Sequence, residues 1–181
     1  MRQATIWLLL AAAPLAAAEL DEISNYREYS AHFASSGQPT AEQFEAIRAA
    51  GFERVVYIAW TDHRNSLEHE DRLVKGLGMQ YLHIPVDWEA PTPADFYLFA
   101  GAMQQAPAAK TLLHCQVNFR ASAFSFLYRV LHEDVPVAEA KRDMNSVWTP
   151  DETWRDLIFT VLEENGVSPD CDGCDWTPMA H

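Results

Sequence analysis

The alternation of strand-like and helix-like segments predicts an α/β fold: a central, mostly parallel sheet of about four strands flanked by helices. Three observations carry that prediction. The apolar runs RVVYIAW (54–60), QYLHIPV (80–86) and TLLHC (111–115) have the β-branched and aromatic content of buried strands. Amphipathic stretches with helix-start signals separate them. The chain has 181 residues, of which 49% are hydrophobic and 22% charged, enough for one domain with its own core.

Each element has a local reason. Thr40-Ala41-Glu42-Gln43 has the form of a capping box, in which the Thr hydroxyl and the Gln amide satisfy free N–H groups at a helix start. Phe44, Ile47 and Ala50 then make an apolar stripe, and Gly51 ends the helix. After the strand at 54–60, Thr61 to Ser66 is a polar loop. A short helix follows with Leu73, Val74 and Leu77 inward, ending near Gly76 or Gly78. The strand at 80–86 is weakened at its end by Pro85. Thr92-Pro93-Ala94-Asp95 opens a helix with Pro in its first turn. The strand at 111–115 leads into a helix over Arg120–Leu131, on the pattern Phe124, Leu127, Val130, Leu131. Two more helices are expected at 136–146 and 150–165, the last opened by Thr149-Pro150-Asp151-Glu152 and stopped by Gly166. Ala31–Ser35 is a candidate edge strand.

Charge and targeting narrow the classes further. Lys and Arg number 13 against 26 Asp and Glu, a formal net charge of −13. Such a chain has no broad basic face for nucleic acid or anionic lipid. Met1-Arg2, an apolar run through Leu8-Leu9-Leu10 and the pair Ala16, Ala18 read as a secretory signal peptide cut after Ala18. The expected organisation is a signal peptide at 1–18, a domain at 19–168 and an acidic tail at 169–181. No stable membrane span remains after cleavage, and the expected location is periplasmic or secreted. Cleavage removes Arg2 and leaves the chain more acidic still.

An oxidising compartment changes how three cysteines are read. Cys171-Asp172-Gly173-Cys174 is expected to close a local disulfide, which leaves Cys115 as the odd thiol. A metal clip with His181 lacks a convincing fourth ligand, so no metal and no cofactor are expected.

In parallel sheets ligands bind beyond the carboxyl ends of the strands, here Thr61–Ser66, Asp87–Pro91 and Cys115–Arg120. The last is the informative one. His114-Cys115-Gln116-Val117-Asn118-Phe119-Arg120-Ala121-Ser122 takes a Cys out of a strand, turns, and starts a helix with an Arg. A helix start offers free N–H groups and a positive dipole end. Consecutive amides in the turn form an anion nest, and the same surroundings favour a thiolate. Arg120 adds a planar fork suited to two phosphate oxygens.

The segment resembles the cysteine-based protein tyrosine phosphatase superfamily, in its small bacterial dual-specificity-like branch. Ser36-Gly37-Gln38-Pro39-Thr40, Ala50-Gly51-Phe52-Glu53-Arg54-Val55-Val56 and His83-Ile84-Pro85-Val86-Asp87 are also similar to that branch. They resemble the phosphatase-like domains associated with β-lactamase-fold hydrolases, over roughly residues 34 to 165. The resemblance implies roles. Cys115 would be the nucleophile that forms a phosphocysteine. Arg120 would bind phosphate and stabilise the transition state, and His114 would organise the loop and support the thiolate. Asp87 would be the general acid and then the base. Gln116, Val117, Asn118, Phe119, Arg120 and Ser122 would bind the phosphate. The substrate would be a phosphorylated protein, phosphotyrosine included, or a small phosphate ester.

The sequence departs from the family pattern in three places. Four residues rather than five separate Cys115 from Arg120. None of the four is Gly, and Asn118 is the one best able to take positive φ. Ala121 replaces the hydroxyl that follows the Arg, which makes Ser122 the candidate to reach the Cys115 sulfur. The same features fit a weak or inactive phosphate- or sulfate-binding module. A sulfurtransferase carrying a persulfide on Cys115 is a further alternative. Glu89 and then Asp95 compete with Asp87 as the acid. Trp88 is read as lining either the cleft or the core, and Trp148 and Trp154 as helix packing. His63, Arg64 and the acidic stretches Glu68–Asp71 and Asp151–Glu152 are read as solvated or helix-starting groups.

Overall fold

The structure is a computed structural model that describes residues 19–177; the expected signal peptide and His181 lie outside the described residues. Its strands are β1 (Arg27–Ser30), β2 (Phe33–Ser36), β3 (Arg54–Tyr57), β4 (Gln80–His83) and β5 (Thr111–His114). Its helices are α1 (Ala41–Ala49), α2 (Glu70–Gly76), α3 (Pro93–Gln105), α4 (Phe119–His132), α5 (Val137–Asn145) and α6 (Glu152–Glu164). The sheet order is β1-β2-β5-β3-β4, with β1 antiparallel to β2 and every other pair parallel.

The architecture is the expected α/β sheet flanked by helices, with five strands where about four were expected. The segment expected as an edge strand at 31–35 is largely β2, which is inside the sheet and buried at every position. The edge belongs to β1, whose residues alternate between half-buried and exposed. Burial of β2 is hidden in sequence because it ends in two serines. Inside the protein Ser35 Oγ meets the Tyr29 hydroxyl at 2.8 Å and Ser36 Oγ donates to the Gly37 carbonyl at 2.8 Å, so neither hydroxyl is stranded.

Helix starts follow their sequence signals. Thr40 and Gln43 form the capping box of α1, Thr92 and Asp95 that of α3, and Asp151 caps α6. Two helical layers cover the sheet. On one side α1 and α2 enclose Phe44, Ile47, Phe52, Val55, Val74 and Leu112. On the other, α3 to α6 pack Phe96, Phe99, Phe124, Leu127, Trp154 and Ile158 against Leu113 and Cys115. Successive side chains of β5 therefore enter opposite layers, as the strand period of two requires. The tail returns to the second layer, where Trp176 packs edge-on to Phe126 and Phe159 with Lys141 4.6 Å above its ring.

A charged group is buried in the α1–α2 layer. Glu70, the first residue of α2, is 5% exposed and accepts from His114 Nε2 at 3.0 Å and from Gln38 Nε2. Of the two readings of the stretch Glu68–Asp71, helix start holds for Glu70, and solvated group does not. Burial alone raises a carboxyl pKa. Here His114, together with hydrogen bonds from His114, Gln38 and Tyr81, outweighs burial and holds Glu70 below the ordinary carboxylate range.

Two predictions follow from this packing. A depressed carboxyl contributes stability that is full above its unfolded-state pKa and lost as pH falls through its folded-state value. The melting temperature should therefore drop as pH is taken through and below the ordinary carboxylate range, and Glu70→Gln should flatten that part of the profile. Trp154 is fully buried and its Nε1 donates to the Trp88 carbonyl at 3.1 Å. Trp154→Ala should cost about 3–5 kcal/mol in urea unfolding; a loss below about 1 kcal/mol would contradict the packing described.

Candidate active site

The site is built from the turn that joins β5 to α4. Cys115 follows the last residue of β5, donates its N–H to the Ser36 carbonyl at 3.3 Å and is fully buried; it is the free cysteine. Asn118, the N-cap of α4, has φ 71° and ψ 3°, the left-handed conformation that the missing Gly would otherwise supply. Its side chain is held: Asn118 Nδ2 donates to the Asn25 carbonyl at 2.6 Å, and Asn25 Nδ2 donates to the Val117 carbonyl at 3.0 Å.

Those bonds belong to a wider pattern. The Gln116 carbonyl accepts from the Gln38 N–H at 3.1 Å, and the Asn118 carbonyl from the Ser122 N–H at 2.8 Å. The Phe119 carbonyl accepts from Ser122 Oγ at 3.0 Å. Every carbonyl from Gln116 to Phe119 is thus engaged by the protein. Among the described residues, no protein acceptor takes the N–H of Gln116, Val117, Phe119 or Arg120. Acceptors tied back and four donors unused are the elements of an anion nest, and they sit at the positive end of α4.

Arg120 is half-buried in the first turn of α4, with its guanidinium 5.1 Å from the Trp88 ring. Its Nε is buried without a partner, and no carboxylate among the described residues lies within ion-pair distance of it. Burial chiefly, with the Glu70 and Cys115 charges assisting, raises the Tyr57 pKa, while Ser66 and Arg120 oppose this.

The remaining expected residues are placed as follows. His114 is buried, but its ring enters the α1–α2 layer beside Phe44 and Glu70, whereas Cys115 enters the other layer. Any support it gives the sulfur runs through the backbone. The Gln116 side chain turns away from the nest, its Nε2 donating to the Tyr57 hydroxyl at 2.6 Å and to Ser66 Oγ at 3.1 Å. Only its backbone is available to an anion. Val117 is exposed. Asp87 is exposed just beyond β4 and accepts the Glu89 N–H at 2.9 Å, closing its own turn. The next residue, Trp88, anchors that turn against Phe119, Trp148 and Trp154. Trp88 thus joins the packing and also carries Arg120. Asp95 is committed to the α3 capping box, and Glu89 is exposed.

Ser122 requires a correction. Its hydroxyl donates back to Phe119 and accepts from Trp148 Nε1 at 3.1 Å, and no bond joins it to Cys115. At that position on α4 the carbonyl one turn earlier is the nearer partner. His63 and Arg64 are exposed, as read. Cys171 and Cys174 are bonded, with their Cα atoms 5.1 Å apart.

Two clefts among the described residues leave Cys115 out of their walls. One of about 620 Å³ lies along α1, and one of about 600 Å³ is walled by Gln38, Ser66, Gln116 and Val117 beside the turn. Sequence reasoning missed Asn25, Gln38, Tyr57 and Glu70. Asn25 does carry a signal, an Asn suited to its φ of 51°, but nothing local links it to a turn some ninety residues away.

No protein-family model and no curated protein matches the chain. Among solved structures, a candidate phosphatase (DUF442) from Shewanella putrefaciens CN-32 is 30% identical, with TM-score 0.75, covering 82% of this chain and 97% of that one. Tk-PTP in its active form is 16% identical with TM-score 0.66, over 77% of this chain and 97% of that one. TpbA of P. aeruginosa is 17% identical with TM-score 0.62, over 76% and 84%. The last two likenesses are of fold. The first combines identity with nearly full coverage, so the chain belongs to the DUF442 family and has the fold of the cysteine-based protein tyrosine phosphatase superfamily.

Proposed function

We propose that this protein is an exported cysteine-dependent phosphatase of the small bacterial dual-specificity-like branch, acting on phosphate monoesters of a protein or small molecule. One observation carries the reading: unused loop amides and an unpaired Arg120 surround the turn that begins at a free thiol. Amides and guanidinium hold the phosphate oxygens and match the charge that builds on them in the transition state. The Cys115 thiolate attacks phosphorus; a P–S bond forms and the ester P–O bond breaks. Asp87 gives its proton to the departing oxygen. Asp87 then takes a proton from water, whose oxygen attacks phosphorus. The P–S bond breaks, inorganic phosphate leaves and the thiolate is restored.

A second reading, an oxyanion-binding module without turnover, also has support. Cys115 is wholly covered, and the Ser122 hydroxyl is bonded to Phe119 and Trp148. The two readings separate in one experiment. Cys115→Ser should abolish hydrolysis of aryl phosphates and keep phosphate affinity within a few fold. Arg120→Ala should weaken both, lowering turnover by about 100-fold or more. If the reduced wild type turns over no aryl or alkyl phosphate yet binds phosphate, the module reading replaces the phosphatase.

The loop itself can be probed at Asn118. Asn118→Gly keeps the left-handed backbone and loses the bond to Asn25, whereas Asn118→Ala adds about 1–2 kcal/mol of backbone strain. Phosphate affinity, read by calorimetry, should fall in the order wild type, Gly, Ala. Equal affinity of Gly and Ala variants would show that the turn is not strained as described.

A further inference from the structure

A buried carboxylate is an expensive way to stabilise a core, because apolar residues of similar volume commonly do as well. Glu70 is such a group, and its exposed neighbours Glu68 and Asp71 show that the stretch did not need to turn inward. What it touches is specific. Its Oε1 takes His114 Nε2 at 3.0 Å, and its Oε2 takes Gln38 Nε2. His114 immediately precedes Cys115. Gln38 is the residue whose backbone N–H holds the Gln116 carbonyl. The His114 ring is stacked 4.7 Å from Tyr57, and the Tyr57 hydroxyl takes the Gln116 side chain at 2.6 Å. The carboxylate thus grips the turn from both flanks, through the β2 exit on one side and the end of β5 on the other.

We propose that Glu70 is a positioning residue for the phosphate loop: by fixing Gln38 and His114 it keeps the Gln116 carbonyl turned out of the nest and the adjoining amides free for an anion. The inference rests on reading that turn as the phosphate site. The peptide unit between Gln116 and Val117 shows the logic. Its carbonyl is bound by Gln38, so the N–H of Val117, on the other side of the same plane, points the opposite way. If Gln38 lets go, the unit can rotate, and a carbonyl dipole then faces the place where an anion would sit. Neither partner replaces the carboxylate. Gln38 and His114 each meet their own carboxylate oxygen; a neutral amide at position 70 keeps one acceptor oxygen in place of two, and neither remaining contact is charge-assisted.

Glu70→Gln in the whole protein tests this by amide hydrogen exchange and by titration of inorganic phosphate, followed by the backbone signals of 116–120. The Gln38 amide should exchange about tenfold faster and phosphate should bind about tenfold more weakly, the scale of one lost charge-assisted bond. Leu127, in the middle of α4, should keep its protection. Adding Gln38→Glu to Glu70→Gln restores a donor opposite an acceptor, and the pair should recover both readouts. Wild-type exchange at Gln38 in Glu70→Gln would overturn the proposal. So would an even loss of protection that includes Leu127, which marks a merely structural role. Should Glu70→Gln fail to fold, Gln38→Ala cuts the same link from the other side and should weaken phosphate equally; unchanged affinity would also overturn it. If phosphate moves no signal of 116–120 in the wild type, the phosphatase reading fails, while exchange at Gln38 still decides the role of Glu70.

Discussion

The structure turns on one constraint: the chain must pass from β5 into α4 within a few residues while leaving the N–H groups of Gln116, Val117, Phe119 and Arg120 without protein acceptors. A peptide unit cannot present donor and acceptor to the same side. Each N–H aimed at an anion therefore needs its carbonyl satisfied elsewhere. Here the partners come from distant segments, Gln38 for Gln116 and Asn25 for Val117, and from Ser122 for Asn118 and Phe119. The left-handed turn at Asn118 costs about 1–2 kcal/mol against ordinary backbone, and its hydrogen bond to Asn25 offsets part of that. The turn is shaped by long-range contacts as much as by its own sequence.

The two layers of the fold serve this turn in different ways. The α1–α2 layer supplies polar fixings, with the Glu70 carboxylate at their centre and Tyr57 stacked between His114 and His83 at 4.7 and 5.2 Å. The α3–α6 layer supplies aromatic ones. Phe119 lies parallel to Trp148 at 4.8 Å, and Trp88 meets Trp154 at 5.3 Å. Arg120 rests on Trp88, a face that attracts a guanidinium without neutralising it. In a chain of net charge −13 that arrangement matters, because any nearby carboxylate would compete with an anionic substrate for the cation.

Legibility followed the range of the interaction. β3, β4 and β5 show in the sequence as β-branched runs, and the caps of α1, α3 and α6 show as side chains next to the N–H groups they satisfy. The need for positive φ at Asn118 is equally local. β2 differs from its expected edge position because the apolar signal of FASS stops at Phe33-Ala34, and the burial of Ser35 and Ser36 depends on partners found only in the folded sheet. For Glu70 the helix start is legible, but its burial is not, because its acidic neighbours Glu68 and Asp71 are exposed. Ser122 was aimed at Cys115 because spacing says nothing of Trp148, which takes its hydroxyl from 26 positions away. The polar misreadings, Glu70 and Ser122, share one cause: a partner distant in sequence.

That pattern bears on the four-residue spacing between Cys115 and Arg120, one fewer than the resembled family pattern implies. Shortening a phosphate turn removes one peptide unit, and hence one donor and one acceptor together. Losing a donor weakens the grip on an anion; losing an acceptor removes a carbonyl that would otherwise need holding away from it. The net effect depends on how firmly the remaining carbonyls are held. In this protein all four carbonyls from Gln116 to Phe119 are held, two of them by side chain or backbone some 78 or more positions distant. Repulsion from the acidic surface acts over a Debye length of about 8 Å at physiological salt, whereas amides and guanidinium act at contact. Local order in the turn, more than overall charge or the count of loop residues, then determines whether an anion is held.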